Sequence, residues 1–218
     1  MDKIVLDFIK ELKEHNDRDW FQKNERLYRN AKAEFDGFID ALIPRLREFD
    51  GTIDLITAKD CTFRIYRDVR FSHDKAPYKT NFGAYIARGG KKSMMAGYYV
   101  HAEPGASMLA GGMHLPPPEN LRKLRDEIYY NWEEFQAIMS HKEFTKYYDS
   151  FDPEYKLLKA PKGYPADFPG IEWLKFKSLA VWHDVSDPLL SSPGYLDYAL
   201  EAFHKLLPLN RFFNRSLE

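Results

Sequence analysis

Residues 60–114 constrain the fold more than any other part of the chain. Short runs of alternating polarity follow one another there, cut by Gly and Pro. CTFRIYR (61–67) places Phe63 and Ile65 on one side of an extended chain and Thr62, Arg64 and Tyr66 on the other. NFGAYIARGG ends at a Gly-Gly turn, SMMAGYYVHAEPG ends at Pro104-Gly105, and ASMLAGGMH follows directly. Short strands joined by such turns specify an antiparallel meander.

Helical patterns flank this block. Ile4, Val5, Phe8, Ile9 and Leu12 recur at helical spacing. In HNDRDWF, Asn16 or Asp17 can cap a second helix, which continues through Tyr28, Ala31, Phe35, Phe38, Leu42 and Leu46. Pro44 marks a kink or break, and FDG (49–51) its exit. LPPPENLRKLRDEI starts another helix with Pro118 in the first turn, and helical signals continue in WEEFQAIMS and HKEFTKYY. LLKAPKGYPADFPG reads as a long ordered loop and KSLAVWHDV as a returning strand. The tail from about residue 193 is helical, with Leu196, Ala199, Leu200, Phe203 and Leu207 on one face. Helices, strands, helices, a strand and a helix make an α+β order rather than a βαβ repeat. The expectation is a single domain over 1–218, with a meander sheet of about four to five strands packed against N-terminal and C-terminal helices. Helices occupy 1–50, strands 60–114, and 115–218 is mainly helical with one candidate strand near 177–185.

The 218 residues are 44% apolar and 16% aromatic, enough for a sizeable core. Lys and Arg number 32 against 33 Asp and Glu, so any preference for an anion must be local. No window approaches 18 uninterrupted apolar residues, which excludes a membrane-spanning helix and favours the cytoplasm. The single cysteine, Cys61, permits neither an intramolecular disulfide nor a cysteine metal cluster, and reads as a small buried hydrophobe.

Charge is concentrated in RIYRDVRFSHDKAPYKT (64–80). Arg64, Arg67, Arg70, Lys75 and Lys79 face only Asp68 and Asp74 there. An Arg fork matches phosphate or carboxylate, and Lys adds a mobile charge. Surplus cations need partners, water or a ligand. One reading is an anion site. Arg64, Arg67, Arg70, Tyr78 and Lys79 would bind, joined by Lys162 beside the permissive Gly163 in APKGYP. Asp68 or Asp74 would serve as acid or base, with Lys75 stabilising developing charge. A second reading is a salt-bridge network tying strand to helices. A third is a nucleic-acid or protein interaction module in which Tyr98 and Tyr99 stack on bases, less favoured because the chain is nearly neutral. No cofactor is indicated: GxxxxGK[ST] and GxGxxG are absent, and none of the seven histidines sits in a close ligand pair. Ser72-His73-Asp74 is no triad, because consecutive residues on an extended chain splay apart.

HNDRDWF, CTFRIYRDVRFSHDKAPYKTNFGAY, AGYYVHAEPG, LAGGMHLPPP, LKAPKGYP and LKFKS occur in this order over most of the chain. In this the chain resembles a family of bacterial and fungal proteins known only as domain of unknown function 2461. That family has no established reaction, substrate or cofactor. Its central motif matches Arg64, Arg67, Asp68, Arg70, Asp74, Lys75, Tyr78 and Lys79; its Pro-Lys-Gly motif matches Lys162 and Gly163, and its first motif Asn16 and Trp20. His15 stands where the family often has Asn, and Phe168 where it often has His before a proline. His114 stands where the family has an aromatic residue, so no catalysis is assigned to it. The resemblance favours the anion-site reading; from the residues themselves the partner is an anionic small molecule, phosphorylated or carboxylated, and phosphoryl hydrolysis or transfer is the least strained reaction.

Overall fold

The computed structural model describes residues 1–70 and 72–218. Helices α1 (Ile4–Glu14), α2 (Arg18–Lys23), α3 (Glu25–Phe49) and α4 (Ala58–Cys61) precede strands β1 (Phe82–Ile86), β2 (Gly97–Ala102) and β3 (Ser107–Met113). Then come α5 (Pro118–Tyr130), α6 (Trp132–Met139), α7 (Ile171–Leu174), β4 (Leu179–Val185), α8 (Asp187–Leu190) and α9 (Tyr195–Asn214). The four strands form one antiparallel sheet in the order β1-β2-β3-β4. This is the α+β meander that the alternation and turn residues specify. Among the described residues, no helix is long and apolar enough to cross a membrane.

Local chemistry explains where elements begin and end. Asp17 caps α2, its Oδ1 accepting the Trp20 N–H at 2.8 Å, an interaction worth about 1 kcal/mol. The expected single helix through Leu46 is divided at Asn24, whose side-chain amide donates to the Trp20 carbonyl in competition with the backbone ladder. Pro44 lies inside α3 without ending it. The helix expected over HKEFTKYY exists only as isolated turns, in which His141 and Phe144 carbonyls accept from Thr145 and Tyr148.

The sheet has two unlike faces. Phe82, Ala84 and Ile86 of β1, Tyr98, Val100 and Ala102 of β2, Leu109 of β3 and Val181 of β4 are buried against α3 and α9, with α1 packed on α3. Tyr98 is fully buried, donates to Asp50 Oδ2 at 2.8 Å and packs on Phe203, so it is not placed to stack on a base. Cys61 is likewise fully buried, and burial pushes its thiol up to about 12. On the opposite face the register sets Gly83, His101 and Met108 in one row, Tyr85, Tyr99, Ala110 and Trp182 in the next, and Gly97, Gly112 and Ala180 in the third.

The segment 61–67 corrects the expectation of a regular first strand. Cys61 closes α4, and residues 62–67 lie antiparallel to residues 77–84 through bridges at Thr62–Ala84 and Tyr66–Tyr78 but belong to no named strand. Phe63 N–H donates to the Gly83 carbonyl, and Lys79 N–H donates to the Ile65 carbonyl. Phe63 to Ile65 therefore opposes the longer stretch Lys79 to Gly83. This bulge re-aims side chains: Phe63 leaves the side of Ile65, and both Phe63 and Arg64 face the open side of the sheet.

Candidate functional site

The open face of the sheet is the floor of a cleft of about 910 Å³. Its walls come from residues 63–64, from the segment leading into β1, from Lys91–Met94 and from His114–Pro117. Alternation along KTNFGAY brings Lys79, Asn81, Gly83 and Tyr85 to the cleft and sends Tyr78, Phe82 and Ala84 to the core. The lining holds three cations, Arg64, Lys79 and Lys91, against one carboxylate, Asp152. Lys91 Nζ donates to the Lys59 carbonyl at 2.6 Å. Among the described residues, Arg64 and Lys79 have no carboxylate within ion-pair distance. Lys79 Nζ lies 5.4 Å from the centre of the Phe63 ring. Burial, and then the charge of Arg64, hold the Lys79 ammonium below its ordinary value.

The rest of the basic motif lies in the loop that joins Arg67 to Ala76. Arg67 pairs with Asp74 and reaches Ser72 Oγ at 3.5 Å. Arg70 clasps Asp68 with two nitrogens, Nε to Oδ1 at 2.9 Å and a terminal nitrogen to Oδ2 at 2.5 Å. Lys75 donates to the Val69 carbonyl, and the Ala76 N–H to Asp74 Oδ1. The Arg70 fork holds the Asp68 carboxyl below its usual range, and the Ala76 N–H followed by Arg67 does the same for Asp74. None of Arg67, Asp68, Arg70, Asp74 and Lys75 lines the cleft.

Tyr78 and Lys162, both expected to touch a ligand, are also elsewhere. Tyr78 is 5% exposed and stacks on Phe21 at 4.0 Å between ring centres. Its backbone N–H donates to Asn16 Oδ1, and its carbonyl accepts from Asn16 Nδ2. The motifs around Asn16 and Tyr78 thus clamp α1–α2 to the segment presenting Lys79. Lys162 is exposed, next to Gly163 at a φ of +97°, and does not line the cleft with Arg64. Tyr164 anchors that loop by donating to Asp126 at 2.7 Å. His183 and Asp184 diverge, His183 bonding to Tyr147 and Tyr198 on the helical side.

One constellation was missed by sequence reasoning. Tyr99, His101 and Glu103 alternate in YVHAE and share one face of β2 and its extension. Tyr99 Oη lies 2.9 Å from His101 Nδ1, and His101 Nε2 lies 3.1 Å from Glu103 Oε2. Asn81 Nδ2 approaches the same Nδ1 at 3.4 Å. The carboxylate at Nε2 favours the tautomer in which Nε2–H donates to Glu103, which leaves Nδ1 to accept from Tyr99. Glu103 is oriented through its other oxygen by the Thr80 hydroxyl at 3.2 Å and Lys13 at 3.6 Å. Gly83 makes room, since a Cβ there would fall 2.5 Å from Tyr99 Oη. Burial, reinforced by Glu103, pushes the Tyr99 hydroxyl up to about 12, so it is a neutral phenol near pH 7. The signal available in the sequence was the two-residue spacing of phenol, imidazole and carboxylate on a predicted strand.

A family described as "Conserved hypothetical protein (DUF2461)" matches residues 4–212, and the chain belongs to that family. No curated protein and no solved structure matches it.

Proposed function

We propose that the cleft binds a small anionic molecule, phosphorylated or carboxylated, with Arg64 and Lys79 as its anion-holding pair. The observation behind this reading is that two cations without a carboxylate partner line the same cavity. Bringing two positive charges together is unfavourable, and an anion between them would offset both the repulsion and the burial of Lys79. Asn81 adds a neutral amide at the same end. Trp182, Met94 and Leu115, all partly exposed on the cleft lining, provide an apolar surface for the remainder of the ligand. The volume suits a molecule of metabolite size. The charged loop beyond Arg67 is read as a structural network that braces this wall, which assigns the anion reading and the salt-bridge reading to different halves of one motif.

The test is a thermal-shift screen with inorganic phosphate, sugar phosphates, nucleotides and dicarboxylates, repeated on Arg64→Ala. A ligand at about 100 times its Kd adds roughly 2.7 kcal/mol, or about 5–10 °C for a chain of this size. A hit lost in Arg64→Ala is the expected result. A hit of equal size in the folded variant removes Arg64 from the reading.

A further inference from the structure

We propose that Tyr99 is the nucleophile of this cleft, activated by His101 with Glu103 behind it, and that the anion held by Arg64 and Lys79 carries the electrophilic centre. The inference rests on the anion-cleft reading for the ligand's placement but on separate residues for its chemistry. A phenol at neutral pH attacks only if its proton leaves as the new bond forms. Here His101 Nδ1 lies 2.9 Å from the phenol oxygen, and with Nε2–H donating to Glu103 that nitrogen is free to take the proton. The imidazolium that results is paired with Glu103. A base oriented by a third group is the arrangement an activated nucleophile requires.

Tyr85 provides the contrast within the same cleft. Its hydroxyl donates to the Met95 carbonyl at 2.7 Å and lies 3.2 Å from the Gly112 carbonyl, with no base beside it. It serves as packing, and its own phenol is raised further by burial. Of the two phenols that line the cleft among the described residues, Tyr99 is the one with an imidazole beside its hydroxyl.

For a phosphate ester the step is as follows. Tyr99 Oη attacks phosphorus, the Oη–P bond forms and the bond from phosphorus to the ester oxygen breaks. The ester oxygen leaves with that electron pair and takes a proton from water. The Tyr99 proton passes to Nδ1 of His101, which returns it to the hydroxide formed. No oxidant or reductant is needed.

The chemistry can be tested without knowing the substrate, using two aryl or benzyl sulfonyl fluorides. One is 4-(fluorosulfonyl)benzoate, which carries an anion; the other is neutral phenylmethanesulfonyl fluoride. Attack by Tyr99 forms an O–S bond, expels fluoride and leaves a mass increment that peptide mass spectrometry assigns. The expected result is labelling of Tyr99 and not of Tyr85, abolished in Tyr99→Phe and slowed at least tenfold in His101→Gln and Glu103→Gln. Glu103→Gln is the decisive variant if His101→Gln fails to fold. It keeps an acceptor for Thr80, yet its amide can donate to Nε2 and so favours the tautomer with a proton on Nδ1. A purely structural Glu103 would leave the labelling rate unchanged. Unlabelled Tyr99, or undiminished labelling in folded Glu103→Gln, overturns the proposal. Labelling by the neutral probe that depends on His101, with no gain for the anionic probe, leaves the nucleophile standing and removes the anion reading.

Discussion

The basic motif divides into two regions that look alike in sequence and behave differently in space. From Arg67 to Ala76, charge is satisfied locally: each Asp has an Arg, and Lys75 has a carbonyl. On either side of that loop, Arg64 and Lys79 come together across a bulged ribbon and line a cavity in which, among the described residues, neither has a carboxylate at ion-pair distance. The difference teaches that a count of surplus cations does not locate a site. What matters is which cations the backbone withholds from nearby carboxylates. Loop residues two to seven positions apart reach one another easily, whereas Arg64 and Lys79 are aimed at the sheet's open face by the bulged pairing of their two segments.

The sharpest way to break this comparison is to neutralise each region in turn. Charge-assisted hydrogen bonds contribute roughly 1.5–3 kcal/mol each. Arg64→Ala with Lys79→Ala should therefore weaken phosphate or dicarboxylate binding by about two to four orders of magnitude. Arg67→Ala with Arg70→Ala should change it by less than about threefold, since those side chains do not reach the cleft. Titration calorimetry on the two double variants decides it. A large loss in the loop pair would mean that the loop folds over the ligand and the two regions act as one.

A second prediction concerns the clamp that holds the cleft side in place. Asn16→Ala leaves the Tyr78 N–H and carbonyl without their side-chain partner. An unsatisfied buried backbone group costs about 1–3 kcal/mol, so the melting temperature should fall by roughly 3–10 °C. Binding should weaken as well, because Lys79 follows directly. A melting point within 1–2 °C of the parent (a shift worth at most about 1 kcal/mol) would assign the stacking of Tyr78 on Phe21, and not Asn16, as the anchor.

Much of this arrangement was legible in the amino acids, and the exceptions are instructive. Sheet order followed from Gly and Pro turns between alternating runs, because a meander leaves little topological choice. Charge alone picked out Arg64 and Lys79 together with Arg67, Arg70, Lys75 and Lys162, and of these only the first two line the cleft. Phe63 was placed on the wrong side because simple alternation cannot foresee a bulge. Tyr78 looked like a hydroxyl donor, yet its place next to buried Phe21 depends on α2, far away in sequence. Arg67, Arg70, Asp68 and Asp74 could not be sorted into partners without the path of the loop. Tyr99, His101 and Glu103 were readable as a strand face, but only Tyr99 stood out, as an aromatic, because a lone imidazole and a lone carboxylate give no charge surplus to mark the place.

A third prediction uses pH. The Lys79 ammonium titrates below its ordinary value of 10.5, through burial first and the Arg64 charge second. As pH rises through the folded-state value toward 10.5, the folded protein loses this proton before the unfolded chain does. The unfolded state then binds more protons, so this group makes stability rise with pH in that window. Anion affinity should fall over the same window, because the charge that attracts the ligand is lost. Opposite trends in stability and affinity are the signature to look for. Lys79→Arg should keep its charge, flatten both trends and retain binding at alkaline pH. Parallel trends would show that a different group controls binding.

The smallest expected effect belongs to the loop. Asp74 titrates below 3.8 because of the Ala76 N–H and Arg67, and Asp68 below 3.8 because of Arg70. Both are lowered in the folded state, so their stabilisation is fully present above 3.8 and is lost as pH falls through the lowered folded-state values. Both carboxyls are exposed, and solvent screening keeps the contribution small. Asp74→Asn should remove part of the acid sensitivity below about pH 4, shift the neutral melting temperature by no more than about 1–2 °C and leave anion affinity unchanged. Melting curves from pH 2.5 to 7 (across the ordinary carboxylate range of about 4), with phosphate titrations at pH 7, measure all three. A tenfold change in affinity at neutral pH would carry the most information. It would mean that releasing Arg67 from Asp74 lets it compete for or join the bound anion, so that the loop is a switchable reserve of charge for the cleft rather than a closed network.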